Sequence, residues 1–241
     1  MSANFITHTG DATAEIKSLG LCNEGVRLVK PFMGMLLDQK VTVLEVNDEG
    51  ATFQGNNLKM CSVLEGRIYL HSQAFPKPVT AQVKDVNVAK GMFVLSDFTY
   101  GKADWKDRKF ERVKPRNPTY VSLCWKKKNF RACLVDLSTH GMGLLVYKLE
   151  ERGLKIQTGS WVHLDFELPD DYTWVDLRGK VVNMQKTKGS LTRLGLRIYP
   201  TAKDSRSLES YITHRKSEIR EELNQAYINA RKPHGVECSY F

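Results

Sequence analysis

The sequence predicts a mainly β protein built of two small antiparallel β-barrel domains, the second six-stranded and followed by a C-terminal amphipathic α-helix. Three observations carry this expectation. Apolar and polar residues alternate with a period of two in runs from Lys40 to Leu95, and six further alternating runs at hairpin spacing follow Pro118. From Leu208 the apolar residues recur instead at three- and four-residue intervals.

The first twenty residues read as an arm leading into a short helix, with Ala14, Ile16 and Leu19 as its apolar points. Five strand segments follow, around Val41 to Val46, Ala51 to Phe53, Arg67 to Leu70, Val79 to Val83 and Gly91 to Leu95. Pro76 and Pro78 precede one of them, where a missing N–H does least harm. The polar stretch from Thr99 to Asp107 is the natural linker. The expected organisation is therefore an N-terminal β-domain over 1–100, a basic linker over 101–118, and a barrel with its helix over 119–241.

The second set of strands is expected at Thr119 to Trp125, Phe130 to Val135, Gly143 to Tyr147, Val162 to Phe166, Trp174 to Met184 and Leu191 to Tyr199. Strict alternation from Val162 to Leu168 places His163, Asp165 and Glu167 on one outer face. Lys188-Gly189-Ser190 supplies hairpin turn chemistry. The helix carries Leu208, Tyr211, Ile212, Ile219, Leu223, Tyr227 and Ala230 on one side, with N-cap candidates from Asp204 to Ser207. Pro233 ends it.

With 241 residues, 41% of them hydrophobic, the chain is long and apolar enough to bury its own cores. Five scattered cysteines without a Cys-x-x-Cys pair argue against a disulfide framework and a zinc site. No apolar run approaches the ~20 residues of a membrane span, and the N-terminus lacks a basic-then-apolar segment. A cytoplasmic protein with no bound metal is expected. The net charge of +9 is concentrated: Lys102 to Arg131 holds eleven basic against three acidic residues, a net of +8. That strip points to an anionic partner.

Two local patterns flank the first strand of the second domain. One is Arg108-Lys109-Phe110-Glu111-Arg112, an Arg-x-x-x-Arg pair; the other is Asp136-Leu137-Ser138-Thr139-His140-Gly141, an Asp-x-Ser-x-x-Gly turn. A guanidinium is a planar fork that fits the O6/N7 edge of guanine or two phosphate oxygens. A carboxylate is repelled by phosphate but accepts from the N1–H and exocyclic amine of guanine, so Asp136 would read a base edge. Ser138 bonds at short range, while Gly141 and Gly143 let a ligand approach the backbone. A small anion carrying guanine satisfies all these groups.

With both motifs in this strand context, the chain resembles the PilZ family of bacterial cyclic di-GMP receptors from about Asp107 to Lys232. The first hundred residues resemble, in layout only, the N-terminal domain of its two-domain, flagellar-brake-like members. The resemblance implies a six-stranded barrel whose ligand is clamped by Arg108, Arg112, Asp136, Ser138 and Gly141, with Lys109, Gly143 and Arg116 as support. It implies cyclic di-GMP as ligand rather than a cofactor, and no catalytic residues. It also implies a receptor that changes interdomain arrangement to regulate motility, adhesion or polysaccharide output through a flagellar, pilus or polysaccharide target. Asp107, beside the first Arg, departs from the neutral or basic residue expected there and leaves ligand stoichiometry open. Arg112 and Arg116 form a second Arg-x-x-x-Arg register, set behind the first because Val113 suits the start of the barrel.

Other readings stand beside this one. The arginines could be ordinary linker cations, and Asp136 and Ser138 an Asx- or ST-turn. Ser138 and His140 lie in one short turn with no orienting partner, which argues against nucleophilic catalysis. Lys126-Lys127-Lys128 reads as a hairpin tip, Trp125 and Trp174 as packing, and Arg131 and Arg193 as support from neighbouring strands. The alternatives are a nucleic-acid-binding protein using the basic strip, with Trp105, Phe110, Tyr120 and Trp125 interleaved, and a ligand-free interaction module of the same fold.

Overall fold

The computed structural model describes residues 12–22, 25–101, 109–149, 155–169, 173–187 and 189–231. These residues form two compact units. One takes in the described residues up to Phe32, 36–101 and 220–231; the other takes in 33–35 and 109–219.

In the first unit α1 (Thr13–Cys22) precedes β1 (Val26–Phe32), β2 (Met35–Asn47), β3 (Gly50–Gly55), the single-turn α2 (Leu58–Cys61), β4 (Arg67–His71), β5 (Val79–Asn87) and β6 (Met92–Tyr100). The strands close into a barrel in the order β1-β2-β3-β6-β5-β4. Phe53 and Phe93, partners across β3 and β6, stack with ring centroids 5.7 Å apart. They lie in a core with Leu28, Ile68, Leu70 and Leu95 that also buries Ala12 and Ile16. The Asn57 side chain caps α2 by accepting from the Met60 amide at 3.1 Å, which turns Met60 and Cys61 into the same core. Burial pushes the Cys61 thiol pKa up, so it behaves as a packing group.

The sequence reading missed β1 and the first residues of β2. The run from Val26 to Leu37 is apolar with little alternation, and its turn lacks the Asn-Gly or Asp-Gly signature. Met33 and Gly34 instead adopt left-handed φ of +47° and +89°. The sixth strand needed to close the barrel lay in that unmarked stretch.

The second unit contains β7 (Tyr120–Trp125), β8 (Lys128–Ser138), β9 (Gly141–Tyr147), β10 (Trp161–Glu167), β11 (Trp174–Lys186) and β12 (Leu191–Tyr199). They form a closed barrel in the order β10-β11-β12-β9-β8-β7. All six strands lie where the alternation placed them, and along β10 Val162, Leu164 and Phe166 point inward while His163 and Glu167 are exposed. The boundaries that matter for the second motif differ from expectation: β8 runs on to Ser138 and β9 already begins at Gly141. The Asp-x-Ser-x-x-Gly segment is thus mostly strand, with Thr139 and His140 as its only turn residues.

A thirty-residue helix, α3 (Ala202–Arg231), follows. It starts earlier than expected. The cap is Thr201, whose hydroxyl accepts from the Asp204 amide at 3.2 Å and bonds the Asp204 carboxylate at 2.5 Å. Leu208, Tyr211, Ile212, Arg215 and Ile219 are buried. Among the described residues no helix is long and apolar enough to cross a membrane.

Arg215 is the unusual member of that face. It is 1% exposed, and its Nε donates to the Lys114 carbonyl at 2.8 Å while Nη1 pairs with Glu218 at 3.0 Å. It therefore ties the segment preceding β7 to the helix. Arg215→Ala removes a buried guanidinium together with its bonds to the Lys114 carbonyl and the Glu218 carboxylate, and is expected to cost the second barrel roughly 2–4 kcal/mol. Urea unfolding followed by tryptophan fluorescence reads this directly, because Trp125, Trp161 and Trp174 all lie in that barrel.

Candidate ligand-binding site

Along β8, Phe130, Ala132 and Leu134 are buried on the core side. Continued alternation would turn Asp136 inward as well. The ladder with β9 instead shifts between Leu134 and Asp136: Leu134 opposes Leu144, Asp136 opposes Gly143, and Val135 is the extra residue. This β-bulge reverses the parity of everything after it. Leu137, fully buried, takes the inward position opposite Met142, while Asp136 and Ser138 join the outer row with Gly143 and Gly141.

The outward carboxylate has two cationic partners. Arg112 Nη1 donates to Asp136 Oδ1 at 2.8 Å, and Arg193 Nη2 donates to Oδ2 at 2.6 Å. The Asp136 side chain is only 10% exposed, against 27% for Arg112 and 41% for Arg193. Glycine is required beneath it: a Cβ on Gly143 would lie 2.8 Å from Asp136 Oδ2. A Cβ on Gly141 would lie 3.1 Å from Ser138 Oγ and 3.8 Å from Arg112 Nη2. The buried Ser138 hydroxyl donates to the Gly141 carbonyl at 3.1 Å, closing the two-residue turn. The result is a bed of backbone at Gly143, occupied by the Asp136 carboxylate and flanked by two guanidinium groups.

Residues 109–116 are fastened beside this bed. Val113 is fully buried and forms an isolated bridge with Leu137, exchanging both backbone hydrogen bonds at 2.9 Å. Phe110 stacks on His140 with centroids 4.3 Å apart, and Glu111 pairs with Lys216 of α3. The bridge at Val113 is what delivers Arg112 to Asp136.

The structure thus brings together Arg112, Asp136, Ser138, Gly141 and Gly143. Lys109 is exposed, and Arg116 pairs loosely with Glu218 at 3.5 Å. Arg108 lies outside the described residues. Arg131 stacks on Tyr120 at 3.6 Å instead of reaching the carboxylate. His140 Nδ1 contacts the Thr139 hydroxyl while Ser138 bonds Gly141, so the two side chains are not a base and nucleophile pair. Arg193, noted in the sequence only as support, contacts Asp136 as closely as Arg112 does. Its signal was the outward parity of β12, where Arg193 opposes Leu145, two positions from the Gly195–Gly143 pair.

Residues 106–214 match the PilZ domain family. That match spans the second barrel. The whole site falls inside the matched region. Among curated proteins none matches. Solved structures similar to the chain include the Bacillus subtilis inhibitor of motility, MotI/DgrA, at 15% identity over 84% of this chain and 97% of that one, with a TM-score of 0.42. YcgR of Escherichia coli in complex with c-di-GMP is similar at 14% identity, covering 88% and 92%, with a TM-score of 0.43. The MrkH–c-di-GMP complex of K. pneumonia is similar at 13% identity, covering 87% and 94%, with a TM-score of 0.47.

Asp136 separates two cations that otherwise face each other. Asp136→Ala is expected to lower the stability of the second barrel by about 1–3 kcal/mol in low salt. Part of the loss should return at high ionic strength, because it includes repulsion between Arg112 and Arg193. Parallel urea titrations at two salt concentrations check this, and an equal loss at both would contradict it.

Proposed function

We propose that the chain is a receptor for cyclic di-GMP, acting in the cytoplasm and performing no chemistry on its ligand. The observation that carries this reading is the position of Asp136: a carboxylate on the outer face of a PilZ barrel, beside Arg112 and over a floor of Gly141 and Gly143. Each group matches one part of the ligand. Arg112 offers a fork to a phosphate or to guanine O6/N7, and Asp136 accepts from the N1–H and amine of the base. Gly143 makes the room in which that carboxylate sits. Arg108 would supply a second fork from the other end of its motif. Phe110 stacked on His140 adds an aromatic edge beside the bed.

The basic strip around the first motif supplies the remaining attraction for a dianion. Ligand binding there would neutralise the segment that connects the two units and alter their arrangement. That change would regulate motility, adhesion or polysaccharide output through a protein target. For such a switch to work, the ligand must bind one arrangement better than the other.

Isothermal titration with cyclic di-GMP, cyclic di-AMP and GTP tests the reading. The native chain is expected to bind cyclic di-GMP saturably and selectively, and Arg112→Ala to weaken it roughly 100-fold, as the loss of one or two charge-assisted hydrogen bonds dictates. Hydrogen exchange of residues 109–118 should slow with ligand. A folded native chain that binds none of the three, or a variant that binds like the native chain, would overturn the proposal.

A further inference from the structure

We infer that Arg193 is a positioning residue of the nucleotide site, the fixed counter-charge that lets Asp136 face guanine while Arg112 turns to the ligand. The inference rests on the cyclic di-GMP reading and adds to it a residue outside both sequence motifs.

The site sets two demands against each other. A carboxylate that reads guanine must sit close to the phosphates of the same ligand, which repel it. It also begins with both oxygens occupied, Oδ1 by Arg112 and Oδ2 by Arg193. A ligand that recruits Arg112 removes one of these partners. Were Arg112 the sole counter-charge, its departure would strand a nearly buried carboxylate beside an anion. With Arg193 in place the carboxylate keeps a cation, and Oδ1 becomes free for the base. Oδ2 retains a second lone pair, so a contact from Arg193 does not close it to the guanine amine.

The two arginines are built differently for these roles. Arg193 stands in the middle of β12, with Gln185 of β11 opposite on one side and Leu145 of β9 opposite on the other. The flanking Thr192 and Leu194 point into the core. Its backbone is therefore pinned. Arg112 lies outside any strand, next to the single bridge at Val113. Of the two, Arg112 is the one whose backbone has no strand partner of its own. The ladder pairs on either side of the bulge, Leu134 with Leu144 and Leu137 with Met142, hold the backbone of Asp136 in place.

The test is titration of the full chain with cyclic di-GMP and cyclic di-AMP for Arg193→Ala, Arg193→Gln and Arg193→Lys, with unfolding curves for each. Arg193→Ala and Arg193→Gln are expected to weaken cyclic di-GMP binding about 10-fold or more and to narrow the preference for guanine over adenine. Arg193→Lys, which restores one charged donor, should recover binding to within about 3-fold and restore the preference. The guanine preference is the readout that a merely structural role would leave unmoved. If Arg193→Ala fails to fold, the Gln variant, which keeps the methylene stem and a neutral donor, decides the matter. Native-like affinity and preference in a folded neutral variant would overturn the inference while leaving the receptor reading intact. Absence of binding by the native chain would overturn both.

Discussion

The carboxylate of Asp136, held on the outside of a β-barrel between guanidinium groups from two different elements, is the interaction on which the site depends. It would be costly alone: a side chain that is 10% exposed has little water around its charge. Two hydrogen-bonded cations remove that cost and fix the direction in which the carboxylate points. They also leave an arrangement with a cation to spare. Two cations around one carboxylate put positive and negative groups within a few ångströms of each other, the combination that the proposed phosphate and guanine contacts call for.

Several features of the second barrel follow from placing this group. The extra residue Val135 rotates Asp136 out of the core and Leu137 into it, so the strand switches from packing to presentation without ending. Gly143 leaves room for the carboxylate, and Ser138 closes the turn that carries the strand into β9. Val113 adds an isolated bridge to Leu137, which sets Arg112 next to the carboxylate. Arg215, on the buried face of α3, holds the following carbonyl at Lys114. The segment that precedes the barrel is thus tied down on both sides of Val113, although only one residue of it pairs as a strand does.

The second barrel was legible because its strands alternate cleanly and its turns carry marked residues. The first barrel was legible only in part. β1 hides in a stretch whose apolar residues, interrupted by Arg27 and Lys30, do not alternate regularly, and the Met33-Gly34 turn uses a left-handed methionine where sequence rules look for Asn or Asp. In the site, the motif residues Arg112, Asp136, Ser138 and Gly141 could be read directly. The bulge could not, since period-two reasoning has no way to locate one extra residue. Without it, Asp136 falls on the core side and no neighbour can be assigned to it. Arg193 is 57 positions from Asp136 in sequence and becomes its partner only through the pairing of β8, β9 and β12. Tertiary pairing of this kind leaves no local trace.

The most direct measurement is a crystal structure of the full chain grown with cyclic di-GMP. The account predicts ligand over Gly141 and Gly143, with a guanine edge on Asp136, Arg193 still bonded to its Oδ2, and Arg112 turned to the ligand. A ligand bound elsewhere, or one seated there while Arg112 and Arg193 both keep their contacts to Asp136 and no guanine atom reaches it, would contradict the account.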